Sequence, residues 1–272
     1  MTIYFCSNGR RFHAAKIFVA LSVAVSAHLA HGQPARLGPS QLDQVVSRIA
    51  LYPDPLLAQV LAASSYWDQI PEAATWAQQH SYLTGETLAQ AIRQDNLNWD
   101  PSVIALLPFP SVLQMMAQDP AWTQQLGQAV LTQRAEVMDA VQRMRKKAKE
   151  FGYLQSNNYM TVNEDQGYIE ILPEAPGVIY VPTYDPLVVF AHPAHGLVIG
   201  GAIQFGAGIT IGGWFAPWGW ASPRLLWPSH AIVIDRPWVR GWVGREAYAH
   251  PYFHPWVRAV GPRVERHEIH RR

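Results

Sequence analysis

The chain has 272 residues, 49% of them hydrophobic and 15% charged, with a formal net charge of +1 and a single cysteine. That length supports one sizeable core and at most two modules. The near-neutral balance leaves no basic footprint for nucleic acid, and one cysteine excludes a disulfide framework.

The N-terminus has the pattern of a secretory signal. Arg10, Arg11 and Lys16 precede an apolar run from Ile17 to Ala27, and Ala30 and Gly32 supply the small residues of a cleavage site before Gln33. The apolar run is shorter than the roughly 20 residues that cross a bilayer, so the expectation is removal of residues 1–32 rather than anchoring. The Arg10-Arg11 pair resembles a twin-arginine signal, but His13 stands where that motif needs an apolar residue, which favours the general secretory route. Cleavage would remove Cys6 and three basic residues, leaving 18 basic against 20 acidic.

From residue 37 to about 155 the periodicity is helical. Ser40, with Asp43 three residues on, has the pattern of a helix start ahead of Leu42, Val45, Val46 and Ile49. Asp-Pro pairs then recur at Asp54-Pro55, Asp100-Pro101 and Asp119-Pro120, each before an apolar-periodic segment. An aspartate accepts otherwise unpaired backbone N–H groups, and a proline fills the first helical position without losing a donor, so all three pairs predict capped helix starts. The last helix carries a stripe through Trp122, Leu126, Val130, Val137, Val141, Met144, Ala148 and Phe151, regular except for a gap of seven. Arg143, Arg145, Lys146, Lys147 and Lys149 crowd its final turns, where a solvated cationic end suits the helix dipole, and Gly152 can terminate it.

Beyond Gly152 the period changes to two. Runs at 159–162, 168–172 and 178–184 read as strands, and the turn residues from Pro173 to Gly177 predict a hairpin between the last two. Asp185-Pro186 reads as another turn or cap. Residues 196–220 form an uncharged, glycine-rich segment that fits two periods. As a strand, bulky residues such as Ile199, Ile203, Phe205, Ile209 and Ile211 alternate with small or polar ones; as a helix, Gly196, Gly200, Gly208 and Gly212 fall on one stripe of small residues. Six glycines within 197–215 would cost an isolated helix about 1 kcal/mol each, so a helix there needs lipid or a tightly apposed partner. The 19 residues from Leu197 to Phe215 are long enough to span a membrane, and a buried strand or helix pair is the alternative.

The remaining residues, 221–272, are dense in Trp, Pro, Arg and His. Pro237-Trp238-Val239-Arg240 returns as Pro255-Trp256-Val257-Arg258. Trp238, Trp242 and Trp256 lie among arginines, a pairing suited to sugars, cell-wall polymers or headgroups, although large aromatics also fill small cores. His267 and His270 are three apart, a weak metal-ligand pattern with no cysteine or fixed carboxylate to complete it. No nucleophile elbow, phosphate loop or zinc-protease motif occurs.

Four separated strings resemble one family: LYPDPLLAQVLAAS (51–64), NWDPSVIALLPFPSVLQMM (98–116), AVQRMRKKAKEFGYL at the helix end, and IEILPEAPGVIYVPTYDP (169–186). In that order they are similar to the domain of unknown function 3300 family of secreted bacterial proteins, over about residues 42–190. The resemblance implies an exported, envelope-associated protein of a Gram-negative bacterium, and it carries no assigned activity or catalytic residues.

The sequence therefore predicts an α+β protein: an N-terminal all-helical domain (37–155), a small antiparallel β-sheet (156–190), the Gly-rich apolar segment (196–220) and a Trp/Arg/His-rich tail (221–272). The expected role is non-enzymatic, membrane-associated or oligomerising, in the periplasm or elsewhere in the envelope, without a cofactor. Its expected partners are membrane or envelope proteins and further copies of itself, with Gly196, Gly200, Gly208 and Gly212 as the association stripe. A cell-wall glycan binder or hydrolase acting through the tail is the alternative.

Overall fold

In a computed structural model, residues 36–192 and 201–234 are described, and they form an α+β arrangement. Helix α1 (Pro39–Val46) starts two residues earlier than a Ser40 cap predicts, with Gly38 in the cap position. Pro39 already occupies the first helical position, and the Gln41 side chain accepts the Gly38 N–H at 2.9 Å. Asp43 is free of capping work and pairs with Arg143 at 2.6 Å.

Helix α2 (Asp54–Ser64) is apolar on every side, and Asp54 and Leu56 to Ser64 are all buried. Around it lie α3 (Ile70–Gln79), α4 (Gly85–Gln94), the short α5 (Pro101–Ile104), α6 (Pro110–Gln118) and the 31-residue α7 (Pro120–Glu150). Helix α7 packs along α1 and α2, and α3 packs on α6. Where α7 crosses α2, Gly127 lies directly against the backbone of Ser64 and Ser65.

The gap of seven in the α7 stripe coincides with a kink: Gln133 leaves helical geometry at φ −140°, ψ 38°. The freed side chain makes a reciprocal pair with Leu37, accepting its N–H at 2.8 Å and donating to its carbonyl at 3.1 Å. At the far end Gly152, at φ 81°, closes a Schellman motif in which Tyr153 N–H reaches the Ala148 carbonyl and Gly152 N–H the Lys149 carbonyl.

Asp100 and Asp119 cap their helices, accepting from Ser102 N–H at 2.9 Å and Trp122 N–H at 3.0 Å. The Trp122 N–H first, and the Arg48 side chain after it, hold the Asp119 carboxyl below the usual aspartate value. A depressed folded-state pKa makes the stabilisation fully present above the ordinary value and lost as pH falls through the folded one. Asp119→Ala is therefore expected to lower stability by about 1 kcal/mol at pH 7. The difference in urea midpoint between variant and parent should shrink at strongly acidic pH.

Strands β1 (Met160–Asp165) and β2 (Tyr168–Pro173) form the first antiparallel pair around a two-residue turn, Gln166-Gly167, with both φ positive. That is the hairpin geometry matching strand twist. The hairpin expected across Pro173 to Gly177 does not form. Pro173 and Pro176 lack donors there, and β3 (Val178–Ile179) and β4 (Pro182–Tyr184) pair instead with the glycine-rich segment.

After the short α8 (Pro186–Val189), β5 (Ile203–Phe205) pairs with β4 and β6 (Ile209–Thr210) with β3. Between the two pairings residues 180–181 face 206–208, so the glycine-rich strand carries a one-residue bulge. The period of two thus describes this run: Ile203, Phe205, Ile209 and Ile211 are half-buried, while Gln204, Gly206, Gly208 and Thr210 are exposed. The helical stripe is corrected for its described members, because Gly208 and Gly212 stand in or beside a β-ladder. Gly196 and Gly200 lie outside the described residues. Among the described residues no helix is long and apolar enough to cross a membrane.

A 3₁₀ turn (Gly213–Trp218) follows, then β7 (Arg224–Leu226) pairs with β8 (Ala231–Val233) across a second 3₁₀ turn (Trp227–Ser229). Packing runs across residue 155, since Ile179, Val181, Phe215, Trp220, Leu225, Trp227 and Ile232 join the helical side chains in one core.

Candidate functional site

The chemistry that sequence position alone concealed is a buried ion pair. Asp54 opens α2, but its carboxylate caps nothing. It faces Arg145 of α7 at 2.6 Å, with the arginine side chain fully buried and the aspartate nearly so. The guanidinium also donates to the carbonyls of Ala50 at 2.8 Å, Tyr52 at 2.9 Å and Ile169 at 2.8 Å. The second carboxylate oxygen accepts the Trp227 indole N–H at 2.9 Å, and Arg145 Cζ lies 4.9 Å from the Trp227 ring centre. Burial pushes the Asp54 carboxyl above the ordinary range, against the pull of Arg145, the indole and the Ile171 N–H.

This cluster closes the outer edge of β2. Ile169 N–H and carbonyl are matched by Gln142 at 2.8 and 3.0 Å, Ile169 also receives Arg145, and Ile171 N–H points at Asp54. Side chains from two helices thus stand where a neighbouring strand would pair. Nothing in the cluster is open to a substrate, so its role is to tie α2, α7, β2 and Trp227 together.

Tyr180, Tyr184 and Asp185, which stand close together in the chain, are likewise structural. Asp185 caps α8 through Leu187 N–H at 2.8 Å. Tyr184 donates to the Ser47 carbonyl at 2.9 Å and accepts Leu51 N–H, and burial pushes its phenol well above the usual value. Tyr180 stacks edge-on with Tyr159 at 5.0 Å.

Among the described residues a groove of about 420 Å³ opens between the start of α2 and the glycine-rich segment. Pro55, Pro173 and Pro223 wall it, and Ile179, Ile211 and Trp220 offer apolar side chains. Gly177, Gly212 and Gly213 leave backbone exposed along it. A Cβ on Gly213 meets nothing within 4 Å, whereas one on Gly212 would strike the Trp214 ring. No titratable side chain lines this groove, so it recognises by shape and apolar contact rather than by acid–base chemistry.

Of the two described members of the association stripe, Gly212 lines the groove and Gly208 lies against Tyr180. Trp238, Trp242, Trp256, His267 and His270 lie outside the described residues, as do Gly196 and Gly200. Among the described residues no three His, Cys, Asp or Glu side chains converge as metal ligands would.

The profile of a family described as "Protein of unknown function (DUF3300)" matches residues 38–236. The chain is similar to the "Uncharacterized protein YacH" of Escherichia coli (strain K12), 34% identical over 188 residues that cover 57% of this chain and 30% of the relative. The match thus spans less than a third of that curated relative's length. No solved structure matches.

Proposed function

Because the chain belongs to the DUF3300 family, whose description assigns no activity, we propose that it is an exported envelope protein that binds another polypeptide rather than a reacting substrate. The groove beside the glycine-rich segment is the interaction site, and it takes an extended apolar segment of an envelope protein. One observation carries this reading. The strongest electrostatic group, Arg145 with Asp54, is sealed inside the fold, while the open groove presents prolines, Trp220 and bare glycine backbone with nothing that titrates. Prolines in the walls contribute no N–H, so recognition depends on packing against a preformed extended chain. Exposed Leu187 and Val188 on α8 add apolar surface for membrane or partner association.

Gly213→Phe tests this, since Gly213 lines the groove and a Cβ there meets nothing within 4 Å. In envelope fractionation with an alkaline wash, the parent protein is expected in the pellet and the variant mostly in the wash. Equal retention of both would remove the groove as the interaction site.

A further inference from the structure

We propose that the free edge of the glycine-rich strand, residues 203–210, is where a second copy of this chain docks. The two strands pair antiparallel about a two-fold axis between Gly206 and Ala207 and join two ribbons into one four-stranded sheet. This goes beyond the groove reading and does not depend on it, because none of residues 203–210 lines the groove.

The existing ladder fixes which backbone groups face outward. Ile211 N–H donates to the Gly177 carbonyl at 2.7 Å, so along β6 the hydrogen-bonded pairs are Gly177–Ile211 and Ile179–Ile209. Gly208 and Thr210 therefore turn their own N–H and carbonyl groups away from β3. On β5 the Pro182–Phe205 pair cannot be of the hydrogen-bonded kind, because proline has no N–H. The bonded pair is Thr183–Gln204, and Ile203 and Phe205 face outward. The bulge switches the outward set from odd to even positions, which makes residues 203, 205, 208 and 210 symmetric about the midpoint of Gly206 and Ala207. In a second copy turned about that midpoint, Ile203 stands opposite the partner's Thr210 and Phe205 opposite the partner's Gly208, so each outward N–H meets an outward carbonyl.

Side chains agree with that register. Phe205 stacks on Tyr159 at 4.6 Å, and Tyr159 meets Tyr180, whose ring lies against Gly208, so Phe205 and Gly208 share one face of the ribbon. The two-fold sets the aromatic of one strand beside the glycine of the other, a pairing that supports glycine at a sheet edge.

Neighbouring edges are closed, and this one is not. Gln142, Arg145 and Asp54 stand along β2, while on β1 the Asn157 and Ser156 side chains accept Met160 N–H at 3.2 Å and Val162 N–H at 2.8 Å. The outward side of β4 carries Pro182, which has no donor to offer. Among the described residues β5 and β6 pair only with β4 and β3. Residues 203–210 contain no proline, and no Lys, Arg, Asp or Glu occurs between Asp185 and Arg224. Charge also selects the occupant. A strand laid on its own copy brings like residues close together across the axis, which an uncharged strand tolerates and a charged one does not.

Sedimentation equilibrium and hydrogen exchange of the full chain test this. A dimer is expected in which the Ile203, Phe205, Gly208 and Thr210 amides exchange slowly, and about hundredfold dilution should return them to fast exchange. Thr210→Pro removes an outward donor at an exposed position and should weaken the dimer at least about tenfold, whereas Thr210→Ser leaves it intact. Ala207→Lys, also at an exposed position, sets two like charges beside the axis and should weaken the dimer as much, which keeps the test decisive if the proline variant misfolds. A monomeric parent overturns the proposal and leaves the edge to a strand of another protein. So does a dimer whose affinity Ala207→Lys leaves unchanged. Gly213→Phe alters the groove and not this edge, so dimerisation should survive it, and the two readings fail separately.

Discussion

Arg145→Met is expected to destabilise the protein by about 3–5 kcal/mol, enough to unfold much of it at ordinary temperature. The substitution removes one partner of a pair whose members are both sealed from water, so the Asp54 carboxylate is left buried without its counter-charge. The carbonyls of Ala50 and Tyr52 lose their donor as well. Arg145→Lys should recover little. An ammonium cannot reproduce a planar fork that serves one carboxylate and three carbonyls while stacking on Trp227. The double variant Asp54→Leu with Arg145→Met should be more stable than Arg145→Met alone, because the uncompensated charge is gone even though the carbonyls stay unserved. Urea unfolding followed by circular dichroism reads all three. An Arg145→Met midpoint within 1 kcal/mol of the parent would show that the pair is not what holds α2, α7 and β2 together.

Gly127→Ala is the second large effect, and its sign opposes helix propensity. Alanine in a helix is ordinarily about 1 kcal/mol better than glycine. Here the added Cβ overlaps the Ser64 carbonyl oxygen, sits 2.6 Å from its carbon and 3.0 Å from Ser65 Cα. These are backbone atoms of the most buried helix and its cap, so they cannot swing aside; α7 must lift away from α2. The expected loss is about 3 kcal/mol, with the unfolding temperature lowered by about 6–12 °C. Gly206→Ala, where a Cβ meets nothing, should stay within about 0.5 kcal/mol of the parent by the same measurement.

The helices were legible because their signals are local. Asp100 and Asp119 cap as their position before proline implies, whereas the kink at Gln133 was not read from the seven-residue gap with which it coincides. Asp54 was misread because it sits in the same Asp-Pro context and differs only in the kind of helix it opens. That helix is apolar on every side, so a carboxylate at its start is carried into the core and must find a charge there. Arg145 could have been singled out on the same ground. It falls four residues after Val141 and three before Ala148, on the buried stripe rather than among the solvated cations around it.

The strand pairing was less legible. A proline- and glycine-rich turn suggested a hairpin at 173–177, but the compatible turn was Gln166-Gly167, and the partners of β3 and β4 came from 19 to 32 residues further on. Period-two alternation identifies a strand and says nothing about which strand it meets. The groove has no local signature, because three distant segments must meet to make it.

The indole that completes the Asp54 cluster lies 173 positions away along the chain. A polypeptide released from its N-terminus first therefore holds α2 and α7 with their central electrostatic lock still open until Trp227 has emerged. Non-local closure of this kind slows the approach to the native state, so final consolidation waits on almost the last of the described residues, and truncation just before Trp227 should leave a collapsed but loosely packed chain.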